Sequence, residues 1–93
     1  MSRAPRVTEE DVEKAIIKVE YVVLPDRRTT IALVTLDNLY TVRGESSCVC
    51  PENFDREVGQ HYALRDAKAK IWPLLGFRLA DTIMRHGIAA SED

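Results

Sequence analysis

The spacing of apolar residues divides the chain into a helix, three strands and a second helical region. Apolar positions at helical spacing follow Thr8, whose hydroxyl can cap the free backbone N–H groups of a helix that starts with three acidic residues. From about Lys18 the residues are β-branched and aromatic, and Pro25-Asp26 then favours a turn. The sequence therefore predicts a short amphipathic helix followed directly by a strand.

Two further strands are predicted at residues 29–36 and 39–43, separated only by Asp37-Asn38. Both turn residues tolerate a positive φ, so we expect a tight two-residue turn that places Leu36 opposite Leu39. Residues that alternate along each strand then share one face of the sheet. The face that we expect the helices to cover carries Ile31, Leu33, Thr35, Tyr40 and Val42. The other face carries Ala32, Val34, Leu36, Leu39, Thr41 and Arg43.

This second face is largely apolar, although only two helical segments remain to cover the sheet. Three strands also leave open edges, which another chain can pair with. The pattern therefore predicts a homo-oligomer, with an interface that includes Val34, Leu36 and Leu39.

The second helical region is predicted to start after Asn53 or Asp55. Proline in a helix interior removes a hydrogen bond and clashes with the preceding turn, so we expect this region to be kinked or broken near Pro73. The predicted fold class is α+β: an N-terminal helix, a three-stranded antiparallel meander and a C-terminal helical region. We interpret residues 1–93 as a single domain in which residues 1–6 and 88–93 are frayed.

Composition limits the classes of function. Hydrophobic residues make up 45% of the 93 residues and charged residues 30%, which is typical of a folded globular domain. The formal net charge of −2 provides no overall field that would attract nucleic acid or an anionic membrane. The chain shows no signal-like start and no apolar run as long as a membrane helix, so we expect a cytoplasmic protein that does not bind membranes.

Cys48 and Cys50, with His61 and His86, are the residues that could carry nucleophilic or zinc chemistry. The C-x-C spacing followed by two distant histidines does not match structural zinc patterns, and a disulfide across one residue would be strained. Small thiols at a strand end explain the cysteines better. We therefore predict no cofactor, no metal and no enzymatic activity.

Nucleic-acid binding is the alternative interpretation. The order helix-strand-strand-strand-helix is also that of double-stranded-RNA-binding domains, which contact phosphates and read helix shape. The candidate contacts are Arg27 and Arg28 in the first strand connection, and Arg65 and Lys68, which a helix can present together. Acidic residues lie between them, whereas a phosphate-binding surface should be basic.

Several short stretches taken together resemble a known family. They are Leu36-Asp37-Asn38, Gly44-Glu45-Ser46, Pro51-Glu52-Asn53-Phe54-Asp55, Gly59, Ala63, Ala67, Ile71-Trp72 and Gly76-Phe77. From Val7 to about Leu79 the chain resembles the small phage proteins grouped as the gene-49/gene-66 family, although Leu39 stands where that family typically has glycine. The resemblance implies a phage or prophage accessory protein in the bacterial cytoplasm, with no known activity. It also implies structural roles for six residues: backbone conformation or close approach at Gly44 and Gly59, packing of the final helix on the sheet at Phe54, Ala67 and Trp72, and a structural position without a stated contact at Gly76.

The functional hypothesis is an accessory protein that acts by binding a host or phage protein, as a homodimer or larger oligomer. A nucleic-acid-binding module is the first alternative. A sponge that captures a small signalling molecule between protomers is a further alternative, based only on the phage context. A cysteine enzyme ranks last, because the sequence places no base near either thiol.

Overall fold

The computed structural model describes residues 5–86. Its elements are α1 (Glu9–Ala15), β1 (Ile16–Val23), β2 (Thr29–Leu36), β3 (Thr41–Ser47), a short 3-10 helix (Pro51–Asn53) and α2 (Arg56–His86). The strands form one antiparallel sheet in the order β1-β2-β3. The predicted α+β fold class is confirmed. The predicted frayed segment 88–93 and most of segment 1–6 lie outside the described residues.

Helix α1 begins with the predicted Thr8 cap. The Thr8 hydroxyl accepts a hydrogen bond from the Asp11 N–H at 3.2 Å, and the Asp11 carboxylate accepts one from the Thr8 N–H at 2.9 Å. This reciprocal capping box holds the pKa of Asp11 below its usual value, because the Thr8 backbone N–H favours the charged carboxylate. Val12 and Ala15 then point into the core, and β1 follows at Ile16 without a loop.

The core lies between one face of the sheet and α2. Residues spaced by four along α2 are buried, which is the spacing that keeps side chains on one face of a helix. They pack over the buried residues of β2 and β3, and α1 adds Val12 and Ala15 at one end. The buried α2 residues are Ala63, Ala67, Ile71 and Leu75.

The hairpin between β2 and β3 differs from the predicted two-residue turn. The Leu36 N–H donates to the Tyr40 carbonyl at 2.8 Å, so the loop contains three residues, Asp37 to Leu39. Leu39 has a φ of 72°, the left-handed conformation that such a loop requires of its last residue. The extra residue shifts the register by one position, so Val34 pairs with Val42.

The predicted faces of β2 are therefore wrong. Because side chains alternate along a strand, a shift of one residue moves a whole set to the other face. Val34 and Leu36, predicted to form an oligomer interface, lie in the core with exposures of 0% and 2%. Only Leu39, at the exposed tip of the hairpin, keeps a surface position. Val42 lies on the covered face as predicted, whereas Tyr40 is exposed.

The true open face of the sheet is of mixed character. Ile31 and Leu33 are only half-buried there, and Val22 of β1, which pairs with Ile31, is 53% exposed on the same face. Charged and hydroxyl side chains lie around these three apolar residues. This face therefore carries a short apolar strip within a largely polar surface, and not the mostly apolar surface that the sequence predicted for the uncovered side. The surrounding polar residues are Lys18, Glu20, Thr35, Thr41, Arg43 and Glu45.

Helix α2 runs without interruption from Arg56 to His86, with Pro73 inside it. It is therefore not broken at Pro73, contrary to one of the two outcomes that the sequence suggested. Proline removes the N–H that would bond to the carbonyl of Ala69, four residues earlier. Both Pro73 and Ala69 are on the exposed side of the helix, where water can satisfy that carbonyl.

Candidate functional site

The second half of α2 exposes large apolar side chains. Phe77 is 76% exposed and Met84 82%, and Trp72 and Leu74 are also at the surface. Leu74, Phe77 and Met84 lie within about 80° of one another around the helix, and we call these three residues the α2 apolar surface. Trp72 points to a different side, about 140° from Phe77. The helix continues well beyond Leu75, its last buried residue, so its final turns have little of the sheet to pack on. Clustered apolar side chains of this kind mark a contact surface more often than scattered single ones do.

Charged residues share one side of the helix with part of this surface. Lys70, Leu74, Phe77 and Asp81 follow at spacings of four, three and four, which places them along a single face. Lys70 lies 3.5 Å from the carboxylate of Asp66, one turn earlier, and Arg85 lies 3.1 Å from Asp81, one turn before it. The face therefore carries an apolar centre with an acidic and a basic residue at each end.

The first two charged residues of this face, Asp66 and Lys70, are hydrogen-bonded to the backbone of β3. The Asp66 carboxylate accepts a hydrogen bond from the Glu45 backbone N–H at 2.9 Å, and the Lys70 ammonium donates to the Arg43 carbonyl at 2.8 Å. Both β3 groups point away from β2, so α2 covers the outer edge of this strand. Edge strands that are covered in this way are protected from pairing with other chains.

An ion pair fixes the protruding part of α2 to the β2–β3 turn. The Arg78 guanidinium donates two hydrogen bonds, of 3.0 and 3.2 Å, to the two carboxylate oxygens of Asp37. The hydrogen bonds from Arg78 hold the pKa of Asp37 below its usual value. Leu74 and Phe77 line a shallow groove with Tyr40 beside this pair.

The basic residues proposed for nucleic-acid binding do not form one cluster. Arg28 lines a depression at the start of α2, and its guanidinium donates to the Val49 carbonyl at 3.0 Å. Arg65 and Lys68 line a different depression beside α1, where Lys68 forms an ion pair with Glu13. Arg27 lies in the β1–β2 turn with a φ of 60°. Nucleic-acid binding stays a prediction, with two separate basic sites in place of one.

The cysteines occupy the connection between β3 and α2. The Cys48 thiol donates to the Cys50 carbonyl at 3.1 Å, and both side chains are half-buried thiols. Within residues 5–86 neither cysteine is hydrogen-bonded to a histidine, and the ring of His61 packs edge-on against Tyr62. The same residues contain no group of three or more side chains arranged to hold a metal ion.

A comparison with protein families settles the relationship that the sequence suggested. Residues 7–83 match the model of the phage protein (N4 Gp49/phage Sf6 gene 66) family. The chain belongs to this family. No curated protein and no solved structure matches it. No helix within residues 5–86 of this phage protein is long and apolar enough to cross a membrane.

Two glycines of the phage protein lie where neighbouring elements come too close to leave room for a side chain. A Cβ on Gly44 would lie 2.2 Å from both the Ala63 carbonyl oxygen and the Ala67 backbone nitrogen, so α2 packs directly on the β3 backbone. A Cβ on Gly59 would lie 2.6 Å from the Thr30 hydroxyl, because the start of α2 crosses β2 there. The structural roles predicted for Gly44, Gly59 and the buried Ala67 therefore have a physical basis.

Trp72 does not fit its predicted packing role, and no contact accounts for the structural role predicted for Gly76. Trp72 is 41% exposed and not in the core, because Ile71 takes the core position and the next residue of a helix points about 100° away. A Cβ on Gly76 would meet no atom of residues 5–86 within 4 Å. Phe54 is half-buried close to Gly59, as predicted for a packing residue.

Sequence reasoning missed the α2 apolar surface as a site. The signal was present in the spacing, since Leu74 and Phe77 share one side of the helix with Lys70, whereas Ile71 and Leu75 lie on the side that packs on the sheet. A single sheet face can cover only one of these two sides. The apolar character of the residues does not by itself say which side is covered.

Proposed function

We propose that this phage protein acts in the bacterial cytoplasm by binding and not by catalysis, and that it works as a homo-oligomer. The observation that supports the proposal is the α2 apolar surface, on which Phe77 and Met84 are mostly exposed. Burying an exposed phenylalanine or methionine side chain stabilises a complex by about 1.5–3 kcal/mol. Within the described chain these side chains gain only a small part of that stabilisation, because most of their surface stays exposed.

The surface has the character of a contact and not of a catalytic site. Its centre is aromatic and aliphatic, and its ends are charged, which is the usual anatomy of a protein–protein interface. Aromatic residues near the centre of such a patch contribute most of the binding free energy. We therefore assign the contact between copies to this half of α2, in place of the sheet face that the sequence suggested.

Sedimentation equilibrium of the full chain at micromolar concentrations tests the proposal. We expect a mass of at least twice 10.5 kDa for the wild-type protein. Phe77→Glu should dissociate the oligomer, because it places a charge in the centre of the apolar patch. Val49→Glu is the matched control, since Val49 is 90% exposed in a different part of the chain and should change nothing. A wild-type protein that sediments only as a monomer refutes the oligomer.

A further inference from the structure

The side of α2 that carries Leu74 and Phe77 has a self-complementary order of residues. Read along the helix, the spacing is four, four, three, four and four, which is the same in both directions. The charges, however, change sign between the two directions. Each acidic position in the forward order corresponds to a basic position in the backward order, and each basic position to an acidic one. The residues are Asp66, Lys70, Leu74, Phe77, Asp81 and Arg85.

We propose that a second copy of this chain packs its α2 antiparallel on this face, around a two-fold axis that passes between residues 75 and 76. The inference rests on the proposed homo-oligomer and adds the orientation of its two helices. At the centre, Leu74 of one copy packs on Phe77 of the other, and the symmetry repeats this contact. A two-fold interface of this kind uses the same patch on both subunits.

Charge complementarity selects the antiparallel orientation. It places Lys70 opposite Asp81 of the second copy and Asp66 opposite Arg85 of the second copy, and symmetry makes four such pairs. A parallel arrangement in register would instead place Lys70 opposite Lys70 and Asp81 opposite Asp81. Like charges that face each other cost free energy and exclude the wrong arrangement.

The charged side chains can form these pairs without giving up the contacts they already make. The Lys70 ammonium has three N–H donors, of which one reaches the Arg43 carbonyl and another faces Asp66. The third remains for a carboxylate of the second copy. Asp81 and Arg85 are 47% and 71% exposed on their side chains, so they are accessible to a neighbouring helix.

Reciprocal charge reversal tests the orientation. In a dimer of Lys70→Asp, the new carboxylate of each copy faces Asp81 of the other copy, so like charges meet at both ends of the helix contact. In a dimer of Asp81→Lys, the new ammonium group of each copy faces Lys70 of the other copy. Each variant alone should weaken self-association by about tenfold or more, which corresponds to about 1.4 kcal/mol. An equimolar mixture of the two variants should assemble into a heterodimer of wild-type affinity, because every pair across the helix contact is then opposite in charge.

The mixture separates the intermolecular contact from the intramolecular ones. Each variant loses its contacts within the chain whether or not the other variant is present, so only pairing between chains can restore association. Circular dichroism checks that both variants are folded, and Asp66→Lys mixed with Arg85→Asp repeats the test at the outer pairs. The measurement is sedimentation equilibrium with one variant carrying a fluorophore.

Two negative results have different meanings. If the wild-type protein is a monomer, both the proposed homo-oligomer and the antiparallel helix pairing are wrong. If the wild-type protein associates but the single variants associate equally well, or the mixture does not assemble, the antiparallel helix pairing is wrong and the oligomer stands. Recovery of association in both mixtures, and in neither variant alone, is the expected result.

Discussion

Glycines 44 and 76 show how differently the same residue type is used in this molecule. At Gly44 the missing side chain lets the backbone of α2 touch the backbone of β3. At Gly76 nothing in the described chain occupies the space that a side chain would take. The first glycine is required by packing, whereas the second only weakens the helix that contains it.

Alanine substitutions at these two positions should therefore have opposite effects on stability. Gly44→Ala should lower the free energy of unfolding by about 3 kcal/mol, because its Cβ would overlap backbone atoms that cannot move aside. Gly76→Ala should raise it by up to about 1 kcal/mol through helix propensity. Chemical denaturation monitored by circular dichroism measures both. A harmless Gly44→Ala would show that α2 does not approach β3 as described.

Thr30 provides a second prediction for a single residue. Its side chain is fully buried, and its hydroxyl has no hydrogen-bond partner within residues 5–86. A buried hydroxyl without a partner costs about 1–3 kcal/mol, so Thr30→Val should stabilise the fold by about 1 kcal/mol. Thr30→Ser is the control, because it keeps the hydroxyl, removes a buried methyl group and should be destabilising. A destabilised valine variant would indicate that the hydroxyl is hydrogen-bonded.

Among the elements, α2 tolerates a proline in its interior. Pro73→Ala restores the missing N–H and removes the clash with the preceding turn, so we expect stabilisation of up to about 3 kcal/mol. Thermal unfolding measures the change, and Ala80→Pro on the same exposed side serves as the reverse control. If Pro73→Ala leaves the melting temperature unchanged, the helix has already adapted its hydrogen bonds to the proline.

The link between α2 and the β2–β3 turn should make stability depend on pH. The pKa of Asp37 is lowered from 3.8 by Arg78, so the charged carboxylate is favoured in the folded state. Its contribution is present above the unfolded pKa and is lost as the pH falls through the folded pKa. Asp11 and Asp26 are shifted in the same direction by hydrogen bonds from backbone N–H groups. The free energy of unfolding should therefore fall as the pH decreases below about 4.

Asp37→Asn isolates one part of this effect. At neutral pH the variant should be less stable than the wild type by less than about 1 kcal/mol, as is usual for exposed ion pairs. The difference should disappear at a pH where Asp37 is protonated in both states. Denaturation curves at several pH values measure it. A difference that persists in acid would mean that the side chain acts through shape and not through charge.

The sequence predicted the elements well but not the way they face each other. Helix α1, its Thr8 cap and the presence of three strands could be deduced from local patterns. The bounds of the third strand could not, since it was predicted at residues 39–43 and β3 runs from Thr41 to Ser47. The faces of β2 could not, because its residues are apolar on both sides and only the length of the turn decides which side is buried. The same ambiguity affected Trp72, which was predicted to pack on the sheet, since Ile71, Trp72 and Leu74 are all apolar neighbours.

At the scale of the whole molecule, α2 makes the protein long. Its 31 residues span about 46 Å, and the described chain extends 55 Å in its longest dimension. The radius of gyration is 16.7 Å, whereas a compact chain of this length has about 12 Å. The end of α2 therefore has fewer partners than its first half.

Hydrogen exchange should report this difference along the helix. Amides from Ala63 to Leu75, which pack on the sheet, should exchange slowly, and those from Leu79 to His86 faster, because local opening costs less free energy where few apolar contacts are lost. Mass spectrometry after peptic digestion resolves the two segments. In Phe77→Glu, the variant designed to dissociate the oligomer, the difference should increase. Uniform protection in that variant would show that the end of α2 is held by contacts within one chain.

The length of α2 also affects how the size of this protein must be measured. An elongated particle diffuses more slowly than a sphere of the same mass, so it leaves a gel-filtration column early and has an enlarged Stokes radius. A single extended chain calibrated against spherical standards would then be mistaken for a dimer. Light scattering and equilibrium sedimentation are independent of shape, and only such mass measurements can count the subunits of this protein.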